Sequence, residues 1–91
     1  MKNGIVTDEY GDYYYENDLL HRLDGPAVEY KDGGKEYWVK GKKHRINGPA
    51  IELDDEIKFY YKGYLIDVNS LNDFQIIVQN MFKPLELKAF W

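Results

Sequence analysis

Between residues 10 and 66 apolar and polar positions alternate with a period of two, interrupted by short polar turns, and from residue 70 the period lengthens to that of a helix. Ala27-Val28-Glu29-Tyr30 alternates, Lys31-Asp32-Gly33-Gly34 breaks the run, and Lys35-Glu36-Tyr37-Trp38-Val39 resumes it, with Tyr37 and Val39 on one face and Trp38 on the other. Asp-Gly-Gly between two β-rich runs predicts a hairpin, because these residues accept positive φ at little cost. The plan recurs in Ala50-Ile51-Glu52-Leu53 and Ile57-Lys58-Phe59-Tyr60-Tyr61. Their connection, Asp54-Asp55-Glu56, has no glycine and is expected to be looser. Leu71, Phe74, Ile77, Val78, Met81 and Phe82 then share one helical face, and Ser70 with Asp73 resembles a capping box. A helix is therefore predicted over 70–82, halted by Pro84. Residues 85–91 alternate once more and are expected to dock as a tail or strand, against their own sheet or a second subunit.

The alternation is itself repeated. His21-Arg22-Leu23-Asp24-Gly25-Pro26-Ala27-Val28-Glu29 returns 23 residues later as His44-Arg45-Ile46-Asn47-Gly48-Pro49-Ala50-Ile51-Glu52. Phe59-Tyr60-Tyr61-Lys62-Gly63 echoes Tyr37-Trp38-Val39-Lys40-Gly41 at an offset of 22, and Tyr13-Tyr14-Tyr15 holds the same place upstream. After Gly63 the pattern decays, with Ile66-Asp67 where His-Arg would stand. Repeats at a fixed offset with atypical ends mark a short capped stack. The expected fold is mainly β with one C-terminal helix: an antiparallel β-meander of repeated hairpins, about five to seven strands, in a single domain over 1–91.

Composition narrows the setting. Nine tyrosines and two tryptophans suit strands that bury one side and wet the other. Without cysteine there is no disulfide framework or thiolate metal site, which points to the reducing cytoplasm. No apolar run approaches the ~20 residues that span a bilayer, and the first residues lack the apolar core of a signal peptide, so no membrane partner is expected. The net charge of −4 divides into −4 over residues 1–20, +3 over 21–48 and −3 over 49–91. Overall acidity argues against a general nucleic-acid binder. The run Lys40-Gly41-Lys42-Lys43-His44-Arg45 reads either as an anion contact or as a solvated turn between strands.

The His21/Arg22 and His44/Arg45 pairs admit two readings. As sites, each arginine would fork onto a phosphate or carboxylate while the histidine adds a donor. As construction, each histidine packs under the next hairpin while arginine and Asp24 or Asn47 tie down the turn. Asp/Asn-Gly-Pro-Ala favours the second, since Asp and Asn bond their own backbone, glycine takes unusual φ and proline starts a strand. Two histidines without cysteine match no zinc spacing, and no cofactor is expected. The only serine, Ser70, is placed to cap a helix; Thr7 is the only threonine, and Gly33-Gly34 precedes no helix that would make a phosphate loop. No enzyme is expected. The aromatic strands place Tyr13, Tyr14, Tyr15, Tyr37, Trp38, Phe59, Tyr60 and Tyr61 across the sheet, either as stabilising cross-strand pairs or as a contact face. The candidate ligand-binding residues are His21, Arg22, His44, Arg45, Tyr37, Trp38, Lys42 and Lys43.

His-Arg-x-Asp/Asn-Gly-Pro-Ala, preceded by an aromatic pair and a glycine turn, resembles the MORN-like HRxDGPA repeats of giant DNA viruses and tailed phages, over roughly residues 10–66. The resemblance implies an antiparallel meander unit and a viral origin, which would place the chain in a host cytoplasm. The expected function is a non-catalytic binding protein that contacts or sequesters a host macromolecule, in counter-defence for example. The alternatives are a sponge for a phosphate-bearing nucleotide signal and a purely structural oligomerisation module. A homodimer is expected, because a short stack leaves edge strands open.

Overall fold

Ten short strands and one helix make up residues 2–81, the part of the chain that the computed structural model describes. They are β1 (Gly4–Thr7), β2 (Gly11–Glu16), β3 (Leu19–Leu20), β4 (Val28–Tyr30), β5 (Lys35–Glu36), β6 (Trp38–Val39), β7 (Lys42–Lys43), β8 (Ile51–Leu53), β9 (Glu56–Tyr61), β10 (Tyr64–Ile66) and α1 (Leu71–Met81). One antiparallel sheet runs β1-β2-β4-β5-β8-β9-β10, with β3 also on β2, while β6 and β7 form a separate ladder. The fold is the mainly β meander with one C-terminal helix that the alternation predicts. Position 82, Pro84 and the tail 85–91 lie outside the described residues.

Three details differ from the sequence reading. β1 extends the sheet beyond the repeat, pairing Gly4 with Tyr15 and Thr7 with Asp12. Its four residues precede the periodic region, so no offset revealed it. Asp54-Asp55 makes a tight two-residue link that pairs Leu53 with Glu56. Neither aspartate takes positive φ, so this link does without glycine. Lys42-Lys43 is a strand, β7, because the reversal is completed by Lys40-Gly41 alone, with φ of 51° and 79°. Asn17-Asp18 (52°, 68°) and Lys62-Gly63 (51°, 88°) take the same form. Positive φ at both central residues is the turn whose twist matches that of the flanking strands. These two-residue arms, and the break at Tyr37 between β5 and β6, raise the strand number above the expected five to seven.

The units repeat in their hydrogen bonds as well as their letters. Tyr14 N–H donates to Ala27 O at 2.8 Å and Tyr37 N–H to Ala50 O at 2.7 Å. His21 N–H donates to Tyr14 O and His44 N–H to Tyr37 O, both at 3.0 Å. Arg22 N–H reaches Trp38 O at 3.0 Å and Arg45 N–H reaches Tyr60 O at 3.2 Å, so each block zips onto the hairpin that follows. Where a third block would lie, α1 closes the stack. Phe74 and Val78 pack on Phe59, Tyr61 and Ile66, with Ile46, Val68 and Ile77 around them. Ser70 Oγ accepts from Asp73 N–H at 3.1 Å, capping the helix as the sequence suggests. Among the described residues no helix is long and apolar enough to cross a membrane.

Candidate functional site

The histidines face inward along the stack. His21 Nδ1 accepts from Lys40 N–H and His44 Nδ1 from Lys62 N–H, each at 2.9 Å. Each imidazole thus holds the first residue of the next unit's turn. His44 is 1% exposed, its ring 4.9 Å from that of Tyr61. Burial, then the nearby charge of Lys62, pushes its pKa down to about 4, so it is neutral at pH 7. His21 is the outer copy, its Nε2 3.6 Å from a Glu16 carboxylate oxygen.

The arginines are layered between a ring and a glycine. The Arg22 guanidinium lies 4.1 Å from the Tyr14 ring centre and the Arg45 guanidinium 3.9 Å from that of Tyr37. A Cβ on Gly25 or Gly48 would come within 3.1 Å or 2.8 Å of the respective guanidinium carbon, which leaves only glycine room on that side. Arg22 donates to Asp24 at 2.9 Å, to Pro26 O at 3.1 Å and to Glu29 at 2.9 Å. Arg45 donates to Pro49 O at 3.2 Å and to Glu52. The Asp24 carboxyl is held below its ordinary range by the hydrogen bond from Arg22 and then by its charge. Burial raises the Tyr37 hydroxyl pKa above its usual value, Arg45 opposing. Ala27 and Ala50 are fully buried beneath these layers. The chemistry that the two blocks share is therefore turned on neighbouring parts of the chain.

Of the eight candidate residues, three come together elsewhere. Trp38, Lys42 and Lys43 line an open basin of about 400 Å³ with Gly41, Tyr60, Lys62, Gly63 and Tyr64. Trp38 and Lys43 are cross-strand partners and so share a face. Lys43 Nζ stands 5.6 Å from the Trp38 ring centre and 4.8 Å from that of Tyr60, an ammonium between two π-faces. Trp38 Nε1 donates to Glu36 at 2.9 Å, which fixes the plane of its indole. The face is the one opposite Phe59 and Tyr61, which lie under the helix. Among the described residues no carboxylate lines this basin. Tyr37 and Arg45 border a different hollow, with Leu23, Asp24, Gly25 and Asn47, while His21 and His44 border neither.

Tyr60, Lys62 and Tyr64 complete the basin and are absent from the sequence-derived candidates. The signal for them was the 22-residue offset, which aligns Trp38 with Tyr60, Lys40-Gly41 with Lys62-Gly63 and Lys42 with Tyr64. The two glycines bring the layers close. Leu19 packs where a Cβ on Gly41 would be, at 3.1 Å, and the stem of Lys42 lies 3.6 Å from the equivalent point on Gly63. Among the described residues no three His, Asp or Glu side chains group to hold a metal ion. The arrangement offers positive charge beside flat rings. No family model, curated protein or solved structure matches this chain.

Proposed function

We propose that the protein is a non-catalytic binding protein that holds an anionic, ring-bearing ligand of the nucleotide class in the Trp38–Tyr60 basin. The observation that carries this reading is the Lys43 ammonium poised between two aromatic faces, in a basin that Lys42 and Lys62 also line and that, among the described residues, no carboxylate lines. Phosphate oxygens meet the ammonium groups and a base stacks on Trp38 or Tyr60. Stacking on one ring contributes about 1–3 kcal/mol.

Calorimetric titration with mono-, di- and cyclic nucleotides tests this. Trp38→Ala and Lys43→Gln are each expected to weaken binding at least tenfold with circular dichroism unchanged, and affinity is expected to fall with added salt. Lys31→Gln, remote from the basin, is expected to change nothing. Absence of binding by every nucleotide, or binding indifferent to Trp38 and Lys43, overturns the reading. A second reading, contact with a host macromolecule, draws on the openness of the basin, which is a surface rather than an enclosed cleft. It predicts that an acidic protein surface, and no free nucleotide, protects Trp38 and Lys43.

A further inference from the structure

The sheet is open, with β1 at one end and β10 at the other among the described strands. Tyr14, which stands opposite Ile5, directs both its main-chain groups away from β1. Its N–H donates to Ala27 O at 2.8 Å and its C=O accepts from His21 N–H at 3.0 Å. Ile5 therefore belongs to a non-hydrogen-bonded pair of the β1–β2 ladder. By the alternation of antiparallel pairing, its own N–H and C=O point out of the sheet, as do those of Thr7. Among the described residues no strand pairs with that side. Gly-Ile-Val-Thr carries no charge and no proline, the devices that usually blunt an edge. Ile5 is 58% and Val6 40% exposed.

We propose that this edge pairs antiparallel with the same edge of a second copy of the chain, Ile5 opposite Ile5. The two-fold axis of such a pair stands perpendicular to the sheet and keeps each face on its own side. Symmetric registers must then centre on a residue, and the centres that pair most of the four-residue strand with itself are Ile5 and Val6. Centred on Ile5, the outward groups of Ile5 meet their own copies and Thr7 meets Asn3. Lys2 falls opposite Asp8 of the second copy, and by symmetry this happens at both ends. Centred on Val6, Lys2 meets Tyr10 and Asp8 meets Gly4, with no opposite charges in register. A lysine before the strand and an aspartate after it form a pattern that an antiparallel copy of itself complements. This selects a second copy over an unrelated extended segment. A strand this short buries far less than the ~1,600 Å² of a standard interface, so the pair is weak and concentration-dependent.

Sedimentation equilibrium of the full chain from ~10 µM to ~1 mM, the range bracketing a contact of this size, provides the first test. The expected result is a mass rising from one chain towards two, with the amides of Ile5 and Thr7 gaining exchange protection at high concentration. Gly4 and Val6, already turned towards β2, are expected to change little. Ile5→Pro removes an outward donor and leaves the β1–β2 bonds in place. Lys2→Glu sets like charges opposite each other. Each is expected to weaken association at least tenfold, and Lys2→Glu alone decides if the proline variant does not fold. A single-chain mass at ~1 mM overturns the proposal, as does association that Lys2→Glu leaves unchanged or protection that rises elsewhere but not at Ile5.

Discussion

The His, Arg, Gly, Pro and Ala of each block have their own neighbours: a turn amide for the histidine, a tyrosine ring and the block's glycine for the arginine, the proline carbonyl as its acceptor, and an enclosed site for the alanine. The histidine carries a pH dependence. His44 accepts from Lys62 N–H only while Nδ1 is unprotonated, and its folded pKa of about 4 lies below the ~6.5 of an unfolded chain. Between those values the unfolded chain binds a proton that the folded chain refuses. Stability is therefore full above about pH 6.5 and falls as pH drops towards 4, by on the order of 3 kcal/mol at most. Urea midpoints measured between about pH 7 and about pH 4.5 are expected to show the fall. His44→Asn, which keeps an acceptor without the titration, is expected to flatten it. The sequence favoured construction over a site for these blocks, because Asp/Asn-Gly-Pro-Ala is turn chemistry. Which neighbour each atom meets was not legible, since the ring that holds Arg45 sits eight residues upstream and the amide that holds His44 eighteen downstream.

Turns decide the elements. Lys40 and Lys62 sit at φ 51°, a left-handed conformation in which lysine gains nothing and asparagine is several-fold enriched. Lys40 is exposed and lies outside the basin, so Lys40→Asn creates the preferred Asn-Gly turn without touching the candidate ligand site. It is expected to stabilise by about 0.5 kcal/mol, raising the melting temperature by about 2–4 °C. Thermal unfolding followed by circular dichroism checks this. Such turns explain what the alternation showed and what it hid. The strands flanking Asp32-Gly33 were readable because glycine announces the reversal. β7 was not, because a lysine in a left-handed turn looks like part of a charge run. The helix was readable from both its stripe and its cap, and among the described stripe residues Phe74 and Val78 are the most deeply buried.

At the scale of the molecule, stability comes from contacts between successive units and from the helix that seals the last one. An extra copy of residues 21–43, inserted between Lys43 and His44, supplies each contact that its neighbours need. The longer chain is expected to fold, with a higher urea midpoint and a steeper dependence on urea, because it exposes more surface when it unfolds. Equilibrium urea unfolding measures both quantities, and a lower midpoint would contradict the stack as the source of stability. The basin spans two such layers, Trp38 and Lys43 from one and Tyr60 and Tyr64 from the next. No single repeat displayed it in the sequence.

The histidine brackets also set an order in time. Each finds its donor 18 or 19 residues later in the chain. At synthesis rates of about 5–20 residues per second, His21 waits about 1–4 s for Lys40 to be made, and His44 waits about as long for Lys62. A ribosome making this protein supplies the donor of the first bracket, Lys40, before it has made the acceptor of the second, His44.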